Sequence, residues 1–264
     1  METFIQSWLG ATFFNSLRYF TIAGLAFIPF YLLMKDRFTK EKIQSKSATK
    51  KDFIREVKDS ISTMVIFGIS GALLLASPVR QYTQVYSEAN EFGWLYLILS
   101  VALALVIHDT YFYWTHRWMH GKKVYKRFHL THHLSINPSP WASYTFSGLE
   151  GVIQSGIIWV LAFCIPMHEY ALLSFTVIAF VINVYGHLGY EIAPLWFRKT
   201  TIFKWMATST YHNLHHSKFN GNFGLYFRWW DKWMNTEVPG YEKAYDKIQE
   251  RRMEKGLEPE LKNI

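Results

Sequence analysis

Eleven histidines are spread unevenly along this chain of 264 residues, and eight of them fall into three tight clusters. One cluster has the spacing HxxxH, and the other two have the spacing HxxHH. They consist of His116 and His120; of His129, His132 and His133; and of His212, His215 and His216. Positions i, i+3 and i+4 of a helix lie on one face, so each cluster is predicted to direct its imidazoles at one spot. Imidazole is a common ligand of iron, zinc, copper and nickel, and one zinc site uses three or four protein ligands. Eight histidines therefore predict a centre of two metal ions.

Four further residues outside the clusters have side chains that could bind metal or assist the site, and only one of them is predicted to be a ligand. His187 follows the last apolar segment of the chain, and we predict it as a ninth ligand. Asp109 shares a helix face with His116 but lies about 10 Å farther along the axis, too far to bind the same ion. An aspartate at membrane depth is costly without a role, so Asp109 is the candidate catalytic residue, predicted to orient the site or to lock its helix. A purely structural, capped aspartate is the alternative. His108 lies off that face and is predicted to pack or to hydrogen-bond, and His168 is predicted to lie in a turn on the opposite side.

The residues around the histidines exclude several other kinds of site. A metalloprotease of the HExxH type needs a glutamate directly after its first histidine. In the three clusters that place is taken by Arg117, Leu130 and Asn213. The chain contains neither a GxGxxG dinucleotide fingerprint nor a phosphate-binding loop, so electrons would have to come from a separate protein. Its one cysteine, Cys164, can form neither an intrachain disulfide nor a CxxC metal site.

Five apolar segments alternate with polar connections and must position these residues. They cover approximately residues 13–34, 61–79, 94–114, 152–165 and 169–186. The last two are predicted to form a helical hairpin with a tight link, which either spans the membrane or re-enters it, because segment 152–165 is short for a span. Arg18 is expected to extend its guanidinium to the membrane interface. The sequence therefore predicts an all-α integral membrane protein with four to five apolar helices and a histidine-rich helical cap.

The distribution of basic residues predicts the side of the membrane on which this cap lies. The chain has a formal net charge of +8, and its Lys and Arg residues crowd the ends of the apolar segments. This placement favours a membrane surface over nucleic acid as the partner. Residues 35–59, residues 115–151 and the part from residue 188 onward contain nine, five and twelve Lys or Arg residues, and all three clusters lie in these regions. The positive-inside rule therefore predicts that the clusters and the C-terminus lie in the cytoplasm.

The order HxxxH, HxxHH, HxxHH resembles the fatty acid hydroxylase and sterol desaturase superfamily of membrane di-iron oxidases. The resemblance covers about residues 108–236 and includes HDTYFYWTHR from His108, NPSPWA from Asn137, GHLGY from Gly186, NFGLY from Asn222, and Trp230-Asp231. It implies that the clustered histidines and His187 bind two iron ions, with zinc as a substitute on overexpression and O₂ as co-substrate. Electrons would come from a haem, flavin or iron–sulfur protein. The oxidised centre would then hydroxylate or desaturate a C–H bond of a sterol, carotenoid, fatty acyl chain or sphingolipid.

With this resemblance, we predict N-terminal membrane segments and a basic loop over residues 1–93, a catalytic domain over 94–240 and a charged, helical tail over 241–264. Two departures from the pattern of the superfamily concern loops. A frequent Phe-His-Pro-Leu-Glu block reads Phe146-Ser-Gly-Leu-Glu150, and the Trp-Asp block ends in Asn235-Thr236 in place of Gly-Thr. Two alternatives stay open. A membrane zinc hydrolase would need a carboxylate base that the clusters lack, and a metal transporter or storage protein usually has its ligands within the spans.

Overall fold

Helices are the dominant secondary structure of this chain. The computed structural model describes residues 2–88 and 91–261. The α-helices are α1 (Glu2–Phe27, continued by a π-helix over Ile28–Leu33), α2 (Lys50–Leu75), α3 (Gly93–Met119), α4 (Tyr125–Phe128), α5 (Leu130–His133), α6 (Gly148–Cys164), α7 (Glu169–Gly186), α8 (Leu195–Arg198), α9 (Ser209–Lys218), α10 (Trp229–Trp233) and α11 (Tyr241–Leu261). Short 3-10 turns cover Thr39–Glu41, Pro78–Tyr82, Pro140–Tyr144 and Ile202–Lys204.

Within the described ranges, four helices are long and apolar enough to cross a membrane, judged by length and composition. They are α1 with its π-helical continuation (Thr3–Leu33), α2, α3 and α7, whereas α6 is apolar but shorter. Two-residue strands, β1 (Val85–Tyr86) and β2 (Met167–His168), pair in parallel and join the α2–α3 connection to the α6–α7 link. This small addition leaves the class unchanged, and the prediction of an all-α membrane protein is confirmed.

Five helices form a closed ring around an apolar interior. In order around the ring, α1 packs on α2, α2 on α6, α6 on α3, α3 on α7, and α7 on α1. The link between α6 and α7 is as tight as predicted, covering only residues 165–168. The predicted hairpin was wrong, however, because α6 packs on α2 and α3 whereas α7 packs on α3 and α1. The turn Pro140–Tyr144 packs on α1, α2 and α7 at one end. That end carries the histidines, since α3 and α7 finish there and α6 begins there.

Helix α2 begins eleven residues earlier than the apolar segment that predicted it. Thr49 and Asp52 form a capping box, in which the Asp52 carboxylate accepts from the Thr49 amide at 2.8 Å and the Thr49 hydroxyl accepts from the Asp52 amide. The polar first half of α2 therefore continues beyond the apolar ring into the cap. There the buried Glu56 carboxylate accepts a hydrogen bond from the Ser135 hydroxyl at 2.8 Å. A Thr-x-x-Asp signal in the sequence marks this start.

The expectation for Arg18 was wrong. Its side chain is buried, with 8% of its surface exposed, and it faces the inside of the ring. Its Nη2 donates to Asn15 Oδ1 and to Tyr144 Oη, both at 2.6 Å. Snorkelling requires that the side chain face lipid, and α1 instead turns this residue toward α7 and the turn at Tyr144.

Helix α11 confirms the predicted helical tail, and it packs on the cap. Tyr241 and Tyr245 are buried against Phe203 and Tyr211. The buried Arg228 guanidinium pairs with Glu237 at 2.7 Å and extends this contact. The proposed subdivision at residues 93 and 240 stays a prediction, and residues 1, 89–90 and 262–264 lie outside the described residues.

Candidate metal centre

The fold brings all nine candidate histidines together into two adjacent groups at the cap end of the ring. In each group, one nitrogen of every residue lies within 4.8 Å of those of the others. The five-histidine group consists of His116, His120, His129, His133 and His215. The four-histidine group consists of His132, His187, His212 and His216. Eight of the nine are buried and His120 is half-buried, so the histidines are shielded from bulk water.

The prediction that each cluster points at one spot was wrong for both HxxHH clusters. His129 and His133 belong to the five-histidine group, but His132 between them belongs to the other group. With 3.6 residues per turn, positions i and i+4 differ by about 40° around the helix, whereas i+3 lies about 60° to the other side of i. The i and i+4 pair therefore serves one group, and the i+3 residue reaches the neighbouring one. In the last cluster, His212 and His216 belong to the four-histidine group, and His215 between them belongs to the five-histidine group.

Backbone carbonyl groups fix the orientation of several rings. His116 Nδ1 donates to the Phe223 carbonyl at 2.9 Å, and His215 Nδ1 donates to the Gly221 carbonyl at 2.7 Å. His187 Nδ1 donates to the Asn183 carbonyl at 2.8 Å. A neutral imidazole that donates from Nδ1 carries a lone pair on Nε2. These contacts therefore direct Nε2 lone pairs toward the interior of the two groups.

The resulting contacts between histidines fit metal binding and do not fit hydrogen bonding. His116 Nε2 and His129 Nε2 are 2.9 Å apart, although the Nδ1 atom of each ring already donates elsewhere. Two lone pairs at this distance repel each other unless a cation lies between or beside them. His215 Nε2 is likewise buried and has no hydrogen-bond partner among the described residues. The donor set is therefore chemically suited to two metal ions, one for each group.

Burial also keeps these imidazoles in the form that binds metal. It lowers the pKa of His212, His215 and His216 well below the usual value, and it lowers the pKa of His187 to about 4. Neighbouring histidines lower the pKa of the three residues of the last cluster further, because like charges would repel. At neutral pH these rings are therefore uncharged and available as ligands.

Glu150 is a residue of the site that the sequence reasoning missed. Its buried Oε1 accepts a hydrogen bond from His129 Nδ1 at 2.7 Å. Ser147 caps α6 by accepting from the Glu150 amide at 3.1 Å, which places this carboxylate in the first turn of the helix, directly below the five-histidine group. A carboxylate in this position orients a ligating histidine and increases its basicity. The signal was present in the Phe146–Glu150 block. Compared with the Phe-His-Pro-Leu-Glu block of the superfamily, this block lacks the histidine and the proline but keeps the glutamate.

Asp109 and His108 lie on α3 outside both groups. Asp109 Oδ1 accepts from the backbone amides of Leu225, Tyr226 and Phe227 at 2.7 to 3.2 Å. These contacts attach the segment after α9 to α3, which favours the helix-locking role over contact with a reacting group. His108 Nδ1 is hydrogen-bonded to the Tyr226 hydroxyl at 2.8 Å, in agreement with its predicted hydrogen-bonding role.

His168 lies at the end of the ring opposite the metal-binding groups. Its Nε2 is hydrogen-bonded to the Ser87 carbonyl at 2.8 Å, and its Nδ1 accepts from the Tyr170 amide at 3.0 Å. The second contact caps the N-terminus of α7. His168 belongs to neither group of histidines.

An apolar cavity leads through the ring to the two groups. It has a volume of about 240 Å³ and lies between α1, α2, α3, α6 and α7. Phe112 and Phe146 line its inner end, and their rings lie 4.8 Å from His116 and 5.3 Å from His132, centroid to centroid. One phenylalanine therefore separates the cavity from each group, and an apolar molecule in the cavity would lie directly beside the metal-binding region.

Known proteins share the sequence features that carry this site. A family model described as fatty acid hydroxylase matches residues 101–236, which contain all nine histidines. Delta(7)-sterol 5(6)-desaturase ERG3B of Gibberella zeae is 28% identical over 206 residues, 77% of this chain and 62% of that protein. Lathosterol oxidase of Rattus norvegicus is 31% identical over 180 residues, 67% of this chain and 58% of that protein. A putative Delta(7)-sterol-C5(6)-desaturase 2 of Arabidopsis thaliana is 27% identical over 257 residues, 94% of this chain and 86% of that protein.

The chain thus spans about three fifths of the length of the first two relatives. No solved structure matches it significantly. The family match covers just over half of the chain, includes the complete set of histidines and agrees with the resemblance seen in the motifs. The chain is an integral membrane protein and belongs to the fatty acid hydroxylase family, in the superfamily that also contains the sterol desaturases.

Proposed function

We propose that this protein is a membrane oxidoreductase that uses O₂ and external electrons to desaturate or hydroxylate a C–H bond of a lipid. The observation that carries the proposal is the position of the two histidine groups at the inner end of an apolar cavity, within a ring of five described helices of which four have membrane length. The relatives support it because their names describe sterol desaturation and oxidation. An enzyme of this kind needs its C–H bond beside the metal and its lipid away from water, and the arrangement supplies both.

The histidines would hold two iron ions, with zinc able to substitute on overexpression, and the loaded, reduced centre would supply activation of O₂. The chain itself performs the positioning. Nε2 atoms provide the ligands, the carbonyl groups of Phe223, Gly221 and Asn183 hold three rings in place, and Glu150 holds a fourth. Phe112 and Phe146 exclude water at the end of the cavity.

We propose that an acidic electron-donor protein, carrying haem, flavin or an iron–sulfur cluster, docks at the cap. The connection between the first two clusters exposes four cations, Lys122, Lys123, Lys126 and Arg127. They lie within a few residues of His120 and His129, so a donor bound there would be close to the five-histidine group. Complementary charge increases the rate of such encounters. The same basic connections support a cytoplasmic location of the cap and the C-terminus.

Oxygen consumption by the metal-loaded protein tests the function. The purified protein is reconstituted with ferrous iron and given a lipid extract, a reductant and a donor protein, and lipid products are followed by mass spectrometry. We expect lipid-dependent oxygen consumption with a product that has lost two hydrogens or gained one oxygen. A matched sample of His216→Ala protein should produce neither. Full activity with zinc, or in the absence of O₂, would contradict the proposal and favour a hydrolase.

A further inference from the structure

Among the described residues, one cation, Arg18, lies on the wall of the cavity inside the ring. Arg18 is in the middle of the first membrane-length helix and lines the cavity together with Asn15 and Tyr144. Only 8% of its surface is exposed. Arginine stays protonated in proteins, so the guanidinium carries its charge into the interior. The cavity is therefore not uniformly apolar, and Arg18 places a buried positive charge on its wall beside neutral polar residues such as Gln154 and Asn183. The other charged lining residue, Glu169, pairs with Arg80 at the opposite end of the ring.

The surroundings of Arg18 leave this charge uncompensated. Its two hydrogen-bond acceptors, Asn15 Oδ1 and Tyr144 Oη, are neutral, and its Nε is buried without a partner among the described residues. The aromatic rings of Phe14, Tyr144 and Phe180 lie 5.6 to 6.0 Å from its central carbon. Such rings attract a cation, but less strongly than burial without a counter-ion disfavours it. Buried charges in proteins are normally paired, so the site lacks an anion.

The hydrogen-bonding positions that remain unused around Arg18 also favour an anionic ligand. The Arg18 guanidinium is a donor only, and its Nε is available. The Tyr144 hydroxyl accepts from Arg18 and so directs its own proton elsewhere. Asn15 uses its amide group to donate to the Ala11 carbonyl at 2.9 Å and its oxygen to accept from Arg18. The free positions are thus donors, and a group that only accepts hydrogen bonds is their complement.

We propose that the cavity binds a lipid that carries an anionic oxygen group, a carboxylate or a phosphate, and that Arg18 and Tyr144 bind this group. The inference rests on the proposed function for the statement that the bound lipid is the substrate. Binding itself does not depend on it. Within the class of lipids, the structure thereby favours amphiphiles with an acidic end over neutral sterols and alcohols.

Ligand binding to the full-length, metal-loaded protein in detergent tests the proposal. The probes are palmitate and hexadecyl phosphate, with hexadecanol, methyl palmitate and cholesterol as neutral comparisons. Because a hydrogen bond to a charged group contributes about one to two factors of ten in affinity, we expect the wild type to bind an acidic probe at least about tenfold more tightly than hexadecanol. The preference should disappear in Arg18→Gln, which retains donors but loses the charge, and should survive in part in Arg18→Lys.

Arg37→Gln is the matched control, since it removes an exposed arginine of the connection between α1 and α2 and should leave the preference unchanged. Tighter binding of palmitate than of hexadecyl phosphate, or the reverse, identifies which acidic group the site takes. Equal affinity for acidic and neutral probes, or a preference that persists in Arg18→Gln, would overturn the proposal. If Arg18→Gln fails to fold, the wild-type comparison of probes decides alone. A clear acidic preference without any oxidation of a lipid would instead count against the proposed function and leave this binding site standing.

Discussion

The carboxylate of Glu150 offers a sharp test of the metal centre, because it contacts the histidines without being one of them. Its Oε1 accepts from His129 Nδ1 at 2.7 Å, and both side chains are almost completely buried. Burial raises the pKa of Glu150 well above its usual value, so we expect its carboxylate to be charged when a metal ion is bound beside it. Glu150→Gln keeps the volume and an acceptor oxygen but removes that charge. We therefore expect the ring of helices to fold normally while the five-histidine group binds its ion more weakly.

The magnitude follows from the separation of the charges. A 2.7 Å hydrogen bond and one imidazole ring lie between the carboxylate and an ion bound at Nε2, so the two are roughly 7 Å apart. At an effective dielectric constant of about 20, Coulomb's law gives roughly 2.4 kcal/mol for each unit of charge and so roughly 5 kcal/mol for a divalent ion, which is an upper limit because the glutamine oxygen still accepts the hydrogen bond. Loss of such a partner typically lowers metal affinity by about 10- to 100-fold, or roughly 1.4 to 2.7 kcal/mol, which is the range we expect.

Chelator competition measures this effect, with Glu56→Gln as the control. Glu56 is equally buried and lies in the cap, but its carboxylate contacts Ser135, Ser139 and Arg55 and not a histidine. Metal is titrated away with a chelator of known affinity while the two ions per chain are followed by elemental analysis. Glu150→Gln should release one ion at a lower chelator concentration than the wild type, and Glu56→Gln should match the wild type. Wild-type retention of both ions in Glu150→Gln, or equal losses in the two variants, would refute the reasoning.

Four further outcomes are expected. His216→Ala removes one of the four donors of its group, so it should lower bound metal from about two ions per chain to about one and abolish lipid oxidation. His168→Ala, at the far end of the ring, should retain both the metal and the activity, and unchanged metal in His216→Ala would disprove the assignment. Asp109→Asn weakens the hold on three backbone amides and should lower the stability of the fold by about 1.5 to 3 kcal/mol in thermal unfolding, with the metal content of the folded protein preserved. Lys122→Glu combined with Lys126→Glu should reduce turnover with an acidic donor protein, most strongly at low salt, where charges are least screened. Turnover with a small reductant should not change, and equal losses with both reductants would rule out a docking role. Burial lowers the pKa of the clustered histidines below the unfolded value of about 6.5, so the unfolded chain binds more protons than the folded one. The metal-free protein should therefore lose stability as the pH falls from about 7 to 5, and a melting temperature that does not change with pH would contradict this.

The sequence was sufficient to identify the histidines because their spacing is a local property. Hydropathy over stretches of about 20 residues predicted the membrane-length helices, and the helical repeat predicted that histidines three and four apart would be neighbours. His187, alone in its segment, was identified by its place after the last apolar run and by the resemblance. The structure brings it within 3.1 Å of His212.

The boundaries that the sequence misjudged lie where polar residues continue an apolar helix. Helix α2 starts at Lys50 because Thr49 and Asp52 cap it, although the apolar segment that predicted the helix begins only at residue 61. Hydropathy reports the contact with lipid, whereas capping reports where the backbone becomes helical. The two differ wherever a helix extends beyond the membrane into a cap.

Long-range packing determined those features of the site that the sequence could not predict. The sequence by itself singled out the nine candidate histidines, through their clustering, the 3.6-residue repeat and, for His187, its place after the last apolar segment. Only the tertiary structure assigned His132 and His215 to groups different from those of their immediate neighbours in the chain, since that depends on how α5 and α9 face each other. The same holds for Glu150 and Arg18. Each becomes significant only when it meets a residue more than 20 positions away, His129 in one case and Tyr144 in the other, and no local pattern encodes such a meeting.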